Sequence, residues 1–354
     1  MITIEKTQFL DGLRAVKSCC AKLDLQPILK DVRIKSEDGH LLLTCTDLQN
    51  SAQATVEANI TEPIDICLNA DKLESIVNCL NDIITIETKD AIAIIKSGKA
   101  EFKMLFINAK DYPEIKFKTE GEKIEIDADI FKDAIAKSIF ATAQETNHIL
   151  NGVCFNYTKD GFEIASTDGN RLCLIDINDK VDEEKQYVIP KKILLDVLKV
   201  VSDSVILYLT DNKVTFYTNG YLYSCNMFDG VFPPYKQLMP KSSTYLIEIN
   251  RNDLLKALER VSIMCDSRTN YTIFNFEENN LELTTRYEGE TAKDSIEINS
   301  NNNIKIAFNY KYIMEGLKAM TTDTITFNMN NNATACVIKG DYTYLVMPIT
   351  LREE

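Results

Sequence analysis

Residues 32–47 read VRIKSEDGHLLLTCTD. Val32 and Ile34 alternate with Arg33 and Lys35, and Leu41 and Leu43 resume an apolar run after Asp38-Gly39. Alternation sends successive side chains to opposite faces of an extended chain. Asp-Gly between two such runs supplies the positive φ angles of a two-residue hairpin turn. The signal returns in VCFNYTKDGFEIASTD (153–168) at Asp160-Gly161 and in IFNFEENNLELTT (273–285) at Asn279-Asn280, spacings of 122 and 119 residues. A second set of turns, Ser97-Gly98, Asn219-Gly220 and Gly340-Asp341, is spaced by 122 and 121 residues.

Helical patterns recur with the same period. TQFLDGLRAVKSCC (7–20), DIFKDAIAKSIFAT (129–142) and NDLLKALERVSIMC (252–265) carry apolar residues at three- and four-residue steps, such as Phe9, Leu13 and Val16. A second helix recurs at 70–80, 190–201 and 309–320, with Pro190 suited to a first helical turn. Helix, hairpin, helix, hairpin in the same order three times makes the chain three copies of one unit. The domains are expected at 1–120, 121–243 and 244–354, the second starting before Lys123-Ile124-Glu125-Ile126 and the third before Tyr245-Leu246-Ile247. The expected class is α+β, two helices packed on antiparallel sheet in each unit, because hairpins dominate and no long parallel crossover is visible. Three like domains in a row suggest an arc or ring.

The 354 residues hold 39 Lys+Arg against 53 Asp+Glu, a formal charge of −14. With 45% hydrophobic and 26% charged residues, and only 12 Gly and 8 Pro, disordered and collagen-like classes are excluded. Taken whole, the acidity argues against a polyanionic partner. Divided along the chain it does not: the six helical segments, taken as 7–22, 70–80, 129–142, 190–201, 250–265 and 309–320, sum to +5, leaving −19 for everything else. One surface shared by the helices would then be basic and the exterior acidic. Helix surfaces rich in Lys and Arg for their propensity alone are the alternative. The ten cysteines form no CxxC, and Cys45, Cys154, Cys225 and Cys336 sit in strand-like runs, as buried thiols of a reducing cytosol do. No apolar run reaches the roughly 18 residues of a membrane span. Met1–Lys6 lacks the layout of a secretory leader. The expected location is cytoplasmic.

Catalytic patterns are missing from the sequence. The two histidines, His40 and His148, stand in no catalytic motif, and Ser97-Gly98-Lys99 lacks the preceding glycine of a phosphate loop. No cofactor or metal is expected. Two rival classes remain, a repeat scaffold that binds only proteins and an enzyme using an unrecognised carboxylate pair.

Three further stretches carry a resemblance. They are Leu150-Asn151-Gly152-Val153 with Ala165-Ser166-Thr167-Asp168-Gly169-Asn170-Arg171-Leu172, Phe232–Pro240 (FPPYKQLMP), and Tyr344–Leu351 (YLVMPITL). Asp111-Tyr112-Pro113-Glu114-Ile115 is the first unit's counterpart of the second stretch. Together, over the whole chain, they resemble the bacterial DNA polymerase III sliding clamps. The resemblance implies a non-catalytic processivity subunit, a head-to-tail homodimer forming a six-domain ring around double-stranded DNA without sequence preference. It implies helices lining the hole, sheets outside, and a separate loader ATPase. It also implies a cleft that takes short peptides of the replicative polymerase, the clamp loader and repair proteins. The matching cleft residues are Leu150, Thr167, Gly169, Arg171, Leu172, Pro233, Leu238, Val346, Met347 and Pro348, and Asn170, Gln237 and Ile349 complete the expected lining. Lys22 lies near the first of its DNA-reaching loops and Gln144 matches the second, where His148 and Ile149 replace aromatic residues; charge adds Arg14, Lys17, Lys137, Lys191, Lys192, Lys199, Arg260 and Lys318. At the dimer contact, Phe102, Ile263 and Met264 match apolar positions, and Lys72 and Lys99 would face Glu288 and Glu290.

The departures make the cleft rim less basic. Asn170 stands where the family often has His, and Gln237 and Thr350 where it often has Arg. Glu101 replaces a usual basic residue at the dimer edge, and an acidic Arg352-Glu353-Glu354 tail is expected beside the cleft.

Overall fold

The first helix of each repeat starts on the same backbone hydrogen bond. Lys6 N donates to Asp82 O (2.7 Å), Ala128 N to Asp203 O (3.1 Å) and Arg251 N to Asp323 O (2.8 Å). Each bond satisfies an amide that the helix itself leaves without a partner. The computed structural model describes residues 1–22, 26–145, 148–158, 161–177, 184–240, 242–266 and 268–350. Its α-helices among these are α1 (Lys6–Lys17), α2 (Ala70–Cys79), α3 (Ala128–Ser138), α4 (Lys191–Val197), α5 (Arg251–Val261) and α6 (Tyr310–Ala319). Asn69, Asn250 and Asn309 cap α2, α5 and α6 through their side-chain oxygens.

The strands form four antiparallel sheets, distributed between two compact units, residues 1–132 with 192–227 and residues 133–191 with 228–354. The first unit holds a five-stranded sheet, ordered Asn59–Ile60, Ile2–Glu5, Ile83–Lys89, Ile92–Ser97, Ala100–Leu105, and a nine-stranded one. In the larger sheet Asn50–Glu57 pairs with Tyr221–Asn226, so strands of the first and second repeats share one ladder. The second unit repeats the device: Arg171–Ile177 pairs with Thr343–Val346 in an eight-stranded sheet. A four-stranded sheet ordered Glu290–Glu297, Asn280–Tyr287, Tyr271–Glu277, Ile304–Asn309 completes it. A tyrosine on each seam ties it to a helix: Tyr223 Oη donates to Ala15 O (3.0 Å) and Tyr344 Oη to Tyr312 O (2.9 Å).

The helices pack by the faces that periodicity assigns. Phe9, Leu10, Leu13 and Val16 of α1 are buried, each worth about 1.5–3 kcal/mol. Gly12 lets α1 lie close on the sheet, since a Cβ there would stand 2.9 Å from Val56 Cγ2.

Three local expectations shift. Pro190 ends the strand Lys185–Pro190, opposite Gly152, and α4 starts one residue later. The third hairpin turns on Glu278-Asn279, because Glu277 pairs with Asn280, and Asn279 takes the positive φ of 57°. The first edge hairpin turns on Gly98-Lys99, between paired Ser97 and Ala100. Asp160 of the second hairpin lies outside the described residues.

Candidate functional site

In the second unit, the segment Thr167–Arg171 is locked by its own side chains. Thr167 Oγ1 donates to Arg171 O (2.5 Å) and accepts from Gly169 N (3.1 Å), while Asp168 Oδ1 accepts from Asn170 N (2.9 Å) and Arg171 N (3.2 Å). Gly169 sits at φ +92°, where a side chain would be strained. The C-terminal strand runs alongside: Arg171 pairs with Val346 and Leu172 with Leu345, and Met347 N donates to Asn170 O (2.9 Å). Ile349 N then donates to Ala307 O (2.8 Å).

Beneath this turn lies an apolar cluster of Cys154, Ala165, Leu172, Leu174, Val188, Phe232, Tyr235, Val337 and Leu345, with Leu150 and Met239 packed against it. Phe232 N donates to Gln186 Oε1 (3.0 Å), which fixes the start of the Phe232–Pro240 segment. Tyr235 Oη donates to Glu163 (2.9 Å) and accepts from Asn156 (2.8 Å). These anchors leave apolar side chains at the surface: Leu238 is 57% and Met347 40% exposed, with Leu150, Pro233, Pro348 and Ile349 half-buried. Leu172 and Val346 are buried among them, and Asn170 and Gln237 are exposed. The arrangement suits the apolar side chains of a short peptide.

Arg171 belongs to the support of this site rather than its surface. It is 6% exposed and donates to Asp168 Oδ2 (2.9 Å), to Phe140 O (2.7 Å) and to Glu315. Its guanidinium lies 4.3 Å over the Tyr312 ring. Burial works against the charge, but Tyr344, Glu315 and Asp168 outweigh it and hold Arg171 above its usual range. Sequence reasoning named Arg171 but missed Glu315, Tyr312, Tyr235, Glu163 and Asn156. Tyr235 stood in the Phe232–Pro240 stretch, and Asn156 and Glu163 in the second hairpin, without a site role.

The basic helix residues separate into groups. In the first unit, Lys17 and Lys22 at the end of α1 and Lys192 and Lys199 on and after α4 line one concavity of about 520 Å³, with Lys30. Arg14 and Lys199 line a second, of about 470 Å³. Lys17 pairs with Asp71 and Glu74, Arg14 with Glu74, Lys192 with Asp47 and Lys199 with Asp196. The pairs of Arg14 and Lys17 are partly exposed and hold by about 0–1 kcal/mol, whereas Lys199 leans on a buried Asp196.

Lys137 of the second unit is a correction. It is buried between Asp133 (2.5 Å) and Asp341 (2.8 Å), and its ammonium is spent inside the fold. Lys191 is half-buried, and burial, aided by Arg171, lowers its proton affinity. Gln144 and His148 are exposed, and Arg260 and Lys318 rest on Asp294 and Glu259.

Each unit also has an edge strand whose outer side pairs with no other strand among the described residues. In the first unit this is Ala100–Leu105, carrying Phe102 (36% exposed) and Leu105 (80%), with Lys72 and Lys99 exposed. Glu101 there pairs with Lys103 (3.2 Å). In the second unit it is Glu290–Glu297, and Ile263 is 80% exposed, Met264 half-buried, Glu288 and Glu290 exposed. Such edges invite pairing with another chain. Thr350 is exposed, while Leu351 and the Arg352-Glu353-Glu354 tail lie outside the described residues.

Among the described residues no cluster of His, Cys, Asp and Glu is placed to hold a metal, and no helix is long and apolar enough to cross a membrane. Repeated helix-on-sheet units with shared ladders define a DNA-clamp fold. The N-terminal, central and C-terminal domains of the DNA polymerase III beta subunit match residues 1–116, 125–234 and 236–350. The chain is 29% identical to the beta sliding clamp of Synechococcus elongatus, covering 92% of each, and 24% identical to that of Pseudomonas putida, covering 99% of each. Its fold matches the DNA polymerase III beta subunit of Thermotoga maritima with a TM-score of 0.91 at 26% identity, covering 99% of each chain. A sliding clamp of Pseudomonas aeruginosa bound to griselimycin matches with 0.93 at 24% identity, again covering 99% of each chain. The chain belongs to the DNA polymerase III beta subunit family. It is a sliding clamp, a replication processivity factor without catalysis of its own.

Proposed function

We propose that two copies of this chain close head to tail into a six-domain ring around double-stranded DNA. The domains are those at 1–120, 121–243 and 244–354, and the ring works in the cytoplasm, where it tethers the replicative polymerase. The observation that carries the DNA reading is the shared concavity of Lys17, Lys22, Lys192 and Lys199, residues from two repeats brought to one surface of the first unit. Arg14, Gln144, His148, Arg260 and Lys318 add to the DNA-facing set, while Lys137 is withdrawn from it. Contacts to phosphate carry no sequence information, which is what sliding requires. The free edge around Phe102 meets the partner copy's edge around Ile263 and Met264, with Lys72 and Lys99 toward the partner's acids. The cleft of Leu150, Leu172, Pro233, Leu238, Val346, Met347 and Pro348 takes the clamp-binding segments of polymerase, loader and repair proteins.

Loading the protein on nicked circular plasmid and then linearising it tests the reading. A clamp stays on the circle and is lost from the linear form, whereas equal retention on both makes it a side-on binder. Native mass spectrometry at micromolar concentration should show a dimer.

A further inference from the structure

We propose that Cys20 and Cys45 form a dithiol site that a hydroperoxide converts to an intramolecular disulfide. The two sulfurs stand 3.1 Å apart, both as free thiols. A disulfide bond is about 2.05 Å long, so closure asks for roughly 1 Å of movement. The backbone provides it on one side only. Cys45 sits in the strand His40–Thr46, which pairs along both edges, Cys45 itself with Ala52, and is fully buried. Cys20 follows the end of α1, where its amide makes a turn-type bond to Lys17 O (3.0 Å), and Ala21 N reaches Leu29 O (2.9 Å).

Access is equally one-sided. Cys20 is half-buried and lines the concavity of about 520 Å³, so a small oxidant reaches its sulfur from solvent. Burial, and then the neighbouring Cys20, pushes the Cys45 thiol well above its ordinary range, so it waits protonated. Cys19 is not the partner: it is fully buried, and burial pushes its thiol up to about 12.

The order of steps follows. The Cys20 sulfur attacks one oxygen of hydrogen peroxide, the O–O bond breaks, and the leaving hydroxide takes the thiol proton as water. Cys20 is then a sulfenic acid. The Cys45 sulfur attacks the Cys20 sulfur, the S–O bond breaks, and hydroxide leaves as water with the Cys45 proton. Two thiols are oxidised, one peroxide is reduced, and two waters form. The bond staples the end of α1 to the sheet beneath it, between Lys17 and Lys22.

The test oxidises the folded full-length protein with hydrogen peroxide, alkylates remaining thiols under denaturation, and digests without reduction. The expected product is a Cys20–Cys45 linked peptide that dithiothreitol removes and that Cys20→Ser never forms. In Cys45→Ala the resolving thiol is gone, so Cys20 should go on to sulfinic acid. Wild-type protein whose Cys20 reaches sulfinic acid while Cys45 stays alkylatable would overturn the proposal. So would linkage of Cys20 to any other cysteine, or no reaction of Cys20 under peroxide that oxidises exposed Cys79.

Discussion

The guanidinium of Arg171 donates to the carboxylate of Glu315, 144 residues further along the chain. One partner lies in the turn Thr167–Arg171, the other on α6. With Asp168, Phe140 O and the Tyr312 ring around it, Arg171 fixes the turn that presents Asn170 and Met347. Removing it leaves Asp168, 14% exposed, without its cation, while removing Glu315, 47% exposed, leaves a carboxylate-bonded arginine. Arg171→Ala is expected to cost about 3–5 kcal/mol, and Glu315→Gln under about 1 kcal/mol. Urea unfolding of the two variants checks the asymmetry, and equal losses would refute it.

Gly316 on α6 faces the ring of Tyr344. A Cβ at Gly316 would stand 2.3 Å from Tyr344 Cε1, and Tyr344 is pinned by its hydroxyl on Tyr312 O. Neither the ring nor the helix has room to yield. Gly316→Ala should destabilise by about 1–3 kcal/mol. Gly12→Ala meets only methyl ends of Val56 and Leu43, at 2.9 and 3.0 Å, and should cost less. Thermal unfolding midpoints of the two variants rank them.

How far the sequence reaches shows in these residues. Asp38-Gly39 is read correctly because a two-residue turn is decided by its own backbone angles, 48° and 80° in φ. The helices are legible because periodicity is local. The ladder between Asn50–Glu57 and Tyr221–Asn226 is not, since neither strand's pattern names a partner so distant. Arg171 and Lys137 expose the same gap in the site. A charge count treats every cation as solvent-facing, and only the fold brings Glu315 or Asp341 to bury one. Tyr235 stood in the motif, but its role as an anchor depends on Asn156 and Glu163 across the sheet.

Acid should weaken the fold through three carboxylates. The Lys17 hydrogen bond holds Glu74 below its ordinary range against burial. For Asp47 and Asp341 burial pushes upward, but Lys192 with Asn50, and Lys137 with Thr321, outweigh it. A carboxylate with a depressed folded value binds protons more readily when unfolded. Its stabilisation is therefore complete above the unfolded value of about 4 and lost as pH falls through the folded one. The unfolding midpoint should stay level from neutral pH to about 5 and fall below about 4. In Asp47→Asn it should start lower at neutral pH and fall less steeply, as differential scanning calorimetry across pH would show.

The cleft prediction separates recognition from folding. Leu238 and Met347 are 57% and 40% exposed, so truncating them costs the fold little. If they bind the apolar side chains of a partner peptide, Leu238→Ala and Met347→Ala should each weaken it about tenfold, equal to about 1.4 kcal/mol. Fluorescence anisotropy with a labelled peptide bearing adjacent leucine and phenylalanine measures this. Unchanged affinity with unchanged melting would move the binding site elsewhere.

The lysines offer the sharpest contrast, because the same residue type stands in two physical situations. Lys22 and Lys199 are exposed on the walls of the basic concavities, while Lys137 is sealed between Asp133 and Asp341. A lysine that neutralises a phosphate releases a counterion, and losing it reduces the salt slope of binding by about 0.9. Lys22→Ala should flatten the dependence of DNA association on salt by about that amount with melting unchanged, whereas Lys199→Ala should flatten it and also lower melting, because Asp196, 4% exposed, loses its cation. Lys137→Ala should leave the slope as it was and lower the melting temperature, since it leaves Asp341, its side chain 18% exposed, without its cation. Titrations of DNA binding over a range of salt, paired with melting curves, read both effects. A flattened slope in Lys137→Ala would mean that its ammonium reaches DNA after all and that its burial is broken when the ring is loaded.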